Sequence, residues 1–310
     1  MIYLKHVQAF AHIQDLGRFG YRGMGVGHAG AMDSLALQAG NLLLGNEPGC
    51  PAIEITLGGL SLSFDCDTPF CLTGALYEAE LDGQPVFPYW RYTAKARQTL
   101  TLKRPVVGNY GYLCVAGGFL VPAVLGSKST DIKAGFGGLK GRLLKAGDVL
   151  PTALRDVNLS RLGIAPIGFS SKIRLLASSE YEAFSPASQA LLEEQPWTLG
   201  NNSNRMGYRL QGLQKLSLNQ PLEMLSHAVS FGTIQVPPDG QPIVLMADTQ
   251  TTGGYPKIGC VITADLGHLA QTPFGGEVGF EKVSLEEARA ALKKNEDYLN
   301  QIRSVVDEAR

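Results

Sequence analysis

Between Ser203 and Gly259 the chain concentrates side chains that bind anions and donate hydrogen bonds. Ser203-Asn204-Arg205-Met206-Gly207-Tyr208-Arg209 opens the stretch, Phe231-Gly232-Thr233-Ile234-Gln235-Val236-Pro237-Pro238 follows, and Ala247-Asp248-Thr249-Gln250-Thr251-Thr252-Gly253-Gly254-Tyr255-Pro256-Lys257 closes it. An ordinary surface loop requires neither two arginines nor a Gln-Thr-Thr-Gly-Gly-Tyr-Pro run. Gly253-Gly254 lets the backbone turn tightly or approach a ligand closely. Thr, Gln, Asp and Lys supply the few convergent polar groups that a small-molecule pocket needs. The stretch reads as a site.

Each candidate carries a structural alternative. Arg205 and Arg209 are four residues apart and suit one face of a helical turn. Their guanidinium forks fit a carboxylate or a phosphate, or else a salt bridge. Asp248 follows the apolar run Ile243-Val244-Leu245-Met246, where a lone carboxylate is costly unless it is paired or working. Lys257 is either its ion-pair partner or the holder of a substrate anion. Asp248 and Lys257 are therefore the expected catalytic pair, with Asn204, Arg205, Gln250, Thr251, Thr252 and Tyr255 as expected substrate binders. Arg18, behind Gln14-Asp15, and Lys128-Ser129 in the run Lys128-Ser129-Thr130-Asp131 are basic and polar enough to touch phosphate. Loop architecture is the other reading of those residues and of Gly137-Gly138-Leu139-Lys140-Gly141-Arg142.

Several familiar arrangements are missing or out of place. Gly25-x-Gly27-x-x-Gly30 matches the dinucleotide fingerprint, and Glu54 lies downstream of it. No apolar strand precedes those glycines, however, and Glu54 sits inside an alternating segment, so a Gly-rich loop entering a helix at Asp33 is the better account. The sequence contains no Walker A run, Gly-x-Ser-x-Gly elbow or His-Glu-x-x-His. His6, His12, His28, His227 and His268 are scattered without metal-ligand spacing, and no metal site is expected.

The elements that must position these residues are mostly strands. Ile53-Glu54-Ile55-Thr56-Leu57 and Leu60-Ser61-Leu62-Ser63-Phe64 alternate around Gly58-Gly59 and read as a hairpin. Further strands are expected at Thr99–Leu102, Tyr112–Ala116, Ile173–Ala177, Leu213–Leu218, Thr233–Val236, Ile243–Ala247 and Cys260–Thr263. Asp33 caps an expected helix reaching Leu44 and stopped at Gly45, and Pro186–Glu194 is a second. Ser284 and Glu287 form a capping box, after which Ala288, Leu292, Leu299, Ile302 and Val306 follow one face of a last helix. That helix packs within the chain or on a neighbouring subunit. The pattern gives a mostly β, β-rich α+β chain. A boundary at Asp156–Phe169 separates a lobe over 1–165 from a second over 166–283, with the helix over 284–310.

Composition agrees with a globular chain. Of 310 residues, 45% are apolar and 18% charged, and 37 glycines and 17 prolines favour short strands and turns. A net charge of −1 gives no electrostatic footprint for nucleic acid or an anionic membrane. Met1–His6 lacks the layout of a secretory signal, and no apolar run is long enough to span a bilayer. Cys50, Cys66, Cys71, Cys114 and Cys260 show no paired spacing, so reduced thiols in a cytoplasmic protein are expected.

Longer motifs then converge on one family. Gln14-Asp15-Leu16-Gly17-Arg18, Gly30-Ala31-Met32-Asp33, Leu72-Thr73-Gly74-Ala75 and Val115-Ala116-Gly117-Gly118 occur in order. Leu125-Gly126-Ser127-Lys128-Ser129-Thr130-Asp131, Ser203-Asn204-Arg205-Met206-Gly207-Tyr208 and Gln250-Thr251-Thr252-Gly253-Gly254-Tyr255-Pro256 follow. The chain resembles, over nearly its whole length, the allophanate hydrolase subunit 2 family, also called the biotin-dependent carboxyltransferase or KipA-type family. The resemblance implies two β-barrel lobes of cyclophilin-like character. It implies a KipI-type sister subunit and a LamB/YcsF-type third subunit. The implied reaction converts 5-oxo-L-proline, with ATP (as its Mg2+ complex) and water, to L-glutamate, ADP and phosphate. Phosphorylating the lactam oxygen turns it into a leaving group, which calls for anion binders and positioning donors. Arg205, Lys257, Gln250, Thr251 and Thr252 have that chemistry, and ATP binds either here or on the sister subunit. Two alternatives stand beside this one. The first is the carboxyltransferase part of a urea carboxylase or allophanate hydrolase-type enzyme. It requires biotin on a separate carrier, because no Ala-Met-Lys-Met sequence is present. The second is a KipA-like regulator that binds a kinase inhibitor.

Overall fold

The computed structural model describes residues 1–153 and 159–309. They form two compact units that interleave along the chain. One comprises Met1–Arg18, Ala29–Gly168 and Glu296–Arg310, the other Phe19–His28 and Phe169–Asn295. The expected divisions at 165/166 and 283/284 were contiguous in sequence, whereas these units exchange the short segment Phe19–His28 and the end of the last helix. Part of the expected linker, Asp156–Asn158, lies outside the described residues.

The first unit is an antiparallel sheet of nine strands: β1 (Ile2–Val7), β2 (Phe10–Gln14), β3 (Ala52–Thr56), β4 (Leu60–Phe64), β5 (Thr68–Leu81), β6 (Gln84–Val86), β7 (Arg91–Ala94), β8 (Thr99–Val115) and β9 (Val149–Leu150). Its order is β2-β3-β8-β4-β1-β9, and β5 branches from β8 to pair also with β6 and β7. Alternation in β4 buries Leu60, Leu62 and Phe64 while Ser61 and Ser63 are half-buried. Phe64 stacks on Phe70 at 5.6 Å between ring centroids, within a core that includes Ile13, Ile55 and Leu113.

The expected hairpin at Gly58-Gly59 does not form. β3 and β4 are strands, but they pair with different stretches of β8: β3 with Tyr110–Leu113 and β4 with Thr99–Leu102. The reason is the length of β8. The two segments expected at Thr99–Leu102 and Tyr112–Ala116 are one strand of 17 residues, long enough to offer each its own ladder. Gly58 lies at φ +79°, and a Cβ there would stand 2.4 Å from the carbonyl of Lys103.

Helix α1 (Ser34–Leu43) starts as expected at Asp33, whose carboxylate accepts from Ala36 N at 3.0 Å. The dinucleotide reading of Gly25–Gly30 fails on topology, since β2 before the loop and β3 after the helix pair antiparallel. Glu54 is fully buried in β3. Its Oε2 accepts from Met32 N at 2.9 Å and from the Tyr112 hydroxyl at 2.8 Å, while Oε1 lies 3.3 Å from His12 Nε2. It binds peptide and side-chain groups of its own unit. Burial and the neighbouring charges of Glu54 and Asp33 push the Tyr112 phenol well above its ordinary value, so it stays a neutral donor.

The second unit is built on a closed barrel of β10 (Lys172–Ala177), β11 (Trp197–Leu199), β12 (Gly207–Gln211), β14 (Thr233–Gln235), β15 (Ile243–Leu245), β17 (Lys257–Val261) and β18 (Glu277–Lys282). The circuit runs β10-β17-β14-β15-β12-β11-β18, and the parallel pair β10–β18 closes it. A separate ribbon pairs β13 (His227–Ala228) with β16 (Thr252–Gly253). Trp197 and Tyr208 are fully buried and spend their polar atoms on the carbonyls of Leu192 and Ala270, at 3.0 and 2.9 Å. Two short helices accompany the barrel, α2 (Pro186–Glu194) and α3 (Leu266–Ala270). Leu213–Leu218 is not the strand that was expected. Leu213 is 97% exposed, Leu216 N donates to Gly240 O and Ser217 N to the Ser188 hydroxyl, and only Leu218 makes a lone bridge, to Phe184.

Helix α4 (Leu285–Glu308) opens on the expected capping box: Glu287 N donates to Ser284 Oγ at 3.2 Å and Ser284 N to the Glu287 carboxylate at 2.8 Å. Part of the expected apolar face packs within the chain, while Leu292 is 37% exposed. Ala291 joins Ile262 and Ala264 in the second unit's small cluster, and Ile302 and Val306 are buried. No helix among the described residues is long and apolar enough to cross a membrane.

Gly58→Ala tests the corrected path. The variant should lose about 1–3 kcal/mol of unfolding free energy, because a side chain at this φ is strained and meets the β8 backbone. Unfolding in urea at the wild-type midpoint would contradict the placement of this turn against Lys103.

Candidate functional site

The segment from Ala247 to Pro256 links β15 to β17 and carries most of the residues singled out by type. Its backbone is fixed at several points. Asp248 N donates to Arg205 O at 2.8 Å, Val229 N to Thr251 O at 3.2 Å, and Val236 N to Pro256 O at 2.9 Å. Gly253 lies opposite His227 in the β13–β16 ribbon. A Cβ at Gly253 would lie 2.5 Å from the Gln235 amide nitrogen, which itself donates to Tyr255 O at 3.3 Å. Glycine here is a condition of close approach.

The charged residues divide into two groups. Arg205 and Asp248 form a fork-to-fork pair, Nε to Oδ2 at 2.8 Å and Nη2 to Oδ1 at 2.7 Å, with side chains 11% and 15% exposed. Arg205 precedes β12 in a turn, and Arg209 is exposed within that strand, so the helical-turn expectation for this pair gives way to strand geometry. Arg205 is thus the partner of Asp248. Lys257 is not: its Nζ lies 3.6 Å from Glu180 Oε2, which also accepts from Lys257 N at 3.2 Å. Ser179 Oγ donates to Glu180 Oε1, and His227 Nε2 stands 3.9 Å from the same oxygen.

Arg22, from the N-terminal segment of this unit, completes the arrangement. Its Nη2 donates to Val229 O at 2.5 Å and Gln250 O at 2.9 Å. The guanidinium thereby ties the peptide carbonyl of Gln250 to that of the residue next to β13. Burial holds its pKa below the ordinary arginine value.

The remaining polar groups of the segment are uncommitted. The side chains of Gln250, Thr251, Thr252 and Tyr255 make no hydrogen bond among the described residues, and Tyr255 is 46% exposed. A fixed backbone with uncommitted amide and hydroxyl groups is suited to orienting a small polar ligand. Asn204 is used locally, its Oδ1 accepting from Met206 N at 2.8 Å.

The expected phosphate binders belong to the other unit and serve a loop. Asp15 gathers Ser127 Oγ at 2.7 Å, Lys128 N at 2.6 Å, Ser129 Oγ at 2.5 Å and Gly17 N at 2.8 Å. Arg18 is 1% exposed. It donates to the carbonyls of Val124 and Ser129 and lies 4.6 Å from the centre of the Phe136 ring. Nε and Nη2 of Arg18 and the hydroxyl of Ser129 are engaged in this architecture, as are the backbone N–H and carbonyl of Lys128. Among the described residues no group of three or more His, Cys, Asp or Glu could hold a metal ion.

Arg22, Glu180 and His227 belong to this region although residue type and spacing did not mark them. Arg22 stands 228 residues from the carbonyl it holds, and nothing local distinguishes it beyond the flanking glycines in Gly20-Tyr21-Arg22-Gly23.

Comparison with known proteins gives a consistent result. Residues 24–282 match the family described as carboxyltransferase domain, subdomain A and B. The chain is 58% identical over 308 residues to a Haemophilus influenzae protein named as a 5-oxoprolinase subunit, covering 99% of both chains. It is 50% identical to the Escherichia coli protein of the same name, over 96% of this chain and 97% of that one. Among solved structures it is similar to the Kluyveromyces lactis urea amidolyase at a TM-score of 0.90 and 26% identity, over 97% of this chain and 20% of the much longer enzyme.

The Arg205–Asp248 pair generates a stability test. Arg205→Ala leaves a largely desolvated carboxylate without its fork and should cost about 3 kcal/mol in urea unfolding, the low end for such pairs. Asp248→Ala should cost a similar amount. The double variant should cost less than the sum by at least about 1 kcal/mol. Strictly additive losses would show that the two side chains do not act as a pair.

Proposed function

The chain belongs to the carboxyltransferase domain family of subdomains A and B, and from that premise we propose that it is a subunit of an ATP-dependent 5-oxoprolinase complex. The complex opens the lactam of 5-oxo-L-proline to give L-glutamate. The observation that carries this reading is the 58% identity to the Haemophilus influenzae 5-oxoprolinase subunit, spread over 99% of each chain. The word "subunit" implies companions, and we assign a KipI-type sister subunit and a LamB/YcsF-type subunit to that role, in the cytoplasm.

A five-membered lactam is a resonance-stabilised amide that resists attack by water. ATP, as co-substrate with Mg2+, activates the lactam oxygen by phosphorylation. We place the nucleotide on a companion subunit, a choice supported by the engagement of Arg18 Nε and Nη2 and of the Ser129 hydroxyl within their own loop. In this chain the uncommitted groups of Gln250, Thr251 and Thr252 orient the ring and its carbonyl, an effect that depends on the donors being held in place beforehand. Asp248 contributes through Arg205, which fixes the start of the segment. Lys257, at 3.6 Å from Glu180, ties the end of the segment to that carboxylate.

A second reading rests on the likeness to urea amidolyase over 97% of the chain. In it the same segment would bind a urea-type amide beside biotin carried on another protein. Near-complete reciprocal coverage of the 5-oxoprolinase proteins favours the first reading.

Reconstitution separates the two. The purified chain alone should release no glutamate from 5-oxo-L-proline, and the assembled complex should release it with one ADP-forming ATP consumed per turnover. Robust turnover by the isolated chain, or an assembled complex that consumes bicarbonate and biotinylated carrier instead, would overturn the proposal.

A further inference from the structure

The reaction proposed above needs a cation for the substrate's carboxylate, and the residue expected to supply it is otherwise engaged. Arg205 meets Asp248 with Nε and Nη2, two of the three nitrogens in its fork, at 2.8 and 2.7 Å. Lys257 has Glu180 beside it. Arg22 differs from both. It is a half-buried guanidinium with no carboxylate of the described residues paired to it, and its partners are two peptide carbonyls, both bound through Nη2. Neutral carbonyls satisfy donors but do not neutralise charge.

A partly desolvated cation without a counterion gives up some hydration with no opposite charge to offset it. Its ordinary resolution is a nearby carboxylate, as at Arg174–Asp265 and Arg142–Asp148 in this same chain. At Arg22 burial lowers the pKa with no acidic neighbour opposing it. The geometry also leaves a binding edge. With Nη2 on Val229 O and Gln250 O, the Nε and Nη1 donors have no acceptor among the described residues. The flanking Gly23 and Gly25 have open space where a side chain would stand. Anchoring through one nitrogen fixes the plane of the guanidinium and so pre-orients the rest of the fork for a planar oxyanion. The anchor itself is the carbonyl of Gln250, so the cation is registered to the segment whose free amide and hydroxyl groups orient the lactam.

We propose that Arg22 is the carboxylate-binding residue of this site, its free guanidinium donors receiving the α-carboxylate of the cyclic amide. The assignment rests on the 5-oxoprolinase reading and adds to it a residue and a specificity: the site selects a lactam bearing a carboxylate over the bare lactam.

The test uses the assembled complex with wild type, Arg22→Ala and Arg22→Lys, each checked for wild-type thermal stability. Two ligands are compared: 5-oxo-L-proline, and 2-pyrrolidinone, the same ring without the acid, as a competitive inhibitor. Arg22→Ala should raise KM for 5-oxo-L-proline at least about tenfold, leave KM for ATP within about twofold, and raise the inhibition constant of 2-pyrrolidinone by no more than about threefold, the share due to loosening of the segment. Arg22→Lys should recover part of the loss, since an ammonium restores charge without the fork. Equal weakening of both ligands would mean that Arg22 acts only by holding the loop backbone, and would overturn the proposal. So would an increase confined to KM for ATP, which would place a phosphate at the guanidinium. An unchanged KM in an active Arg22→Ala complex would remove Arg22 and leave the functional reading standing. A wild-type complex that neither turns over nor binds 5-oxo-L-proline by calorimetry would end both.

Discussion

A connection between two barrel strands holds a fixed shape only when its peptide groups and charges have partners, and this requirement governs the segment from Ala247 to Pro256. Its residues are too rich in glycine and small polar side chains to be held by packing. The partners come from three distant places in the chain. Arg205 grips Asp248 at the start, Glu180 receives the backbone N–H of Lys257 at the end, and Arg22 holds the carbonyl of Gln250 in the middle. With these contacts made, the amide of Gln250 and the hydroxyls of Thr251 and Thr252 remain available to something other than the protein.

The barrel supplies the rigidity that such an arrangement needs. Closure by the parallel pair of β10 and β18 removes free edges from the main circuit. β12 and β15 run antiparallel, Gly207 opposite Leu245, and that register brings the turn before one strand to the residues after the other. Just beyond the paired residues Asp248 N bonds to Arg205 O, so the ion pair lies beside a backbone contact. The other unit applies a related economy. Asp15 gathers four donors around one carboxylate, and Glu54 joins β3, Tyr112 and the peptide before α1 in a buried network.

Local sequence was enough for the features decided locally. The alternation of Leu60-Ser61-Leu62-Ser63-Phe64 and the caps at Asp33 and at Ser284 with Glu287 each depend on residues a few positions apart, and all three appear in the structure. The Gly58-Gly59 hairpin failed because adjacency in sequence says nothing about a third strand long enough to pair with both neighbours. Leu213–Leu218 failed because its apolar residues do not share one buried face, with Leu213 exposed and Leu216 buried. For the candidate site, residue types in the Ala247–Lys257 run signalled a polar loop, but the partner of each charge was not legible. Lys257 was the expected partner of Asp248, and the structure gives that place to Arg205, which the register of β12 on β15 brings close. Arg22 lay beyond reach, because its importance comes from carbonyls more than 200 residues away.

We propose that the uncommitted groups of the Gln250–Thr252 segment and the guanidinium of Arg22 together form the lactam site. A crystal structure of the assembled complex soaked with 5-oxo-L-proline tests it directly. The ligand's carboxylate is expected within hydrogen-bonding distance of Arg22 and its ring amide against the side chains of Gln250, Thr251 or Thr252, with the Arg205–Asp248 pair intact. Ligand bound elsewhere, with this segment untouched, or a ligand carboxylate that displaces Asp248 from Arg205, would contradict it.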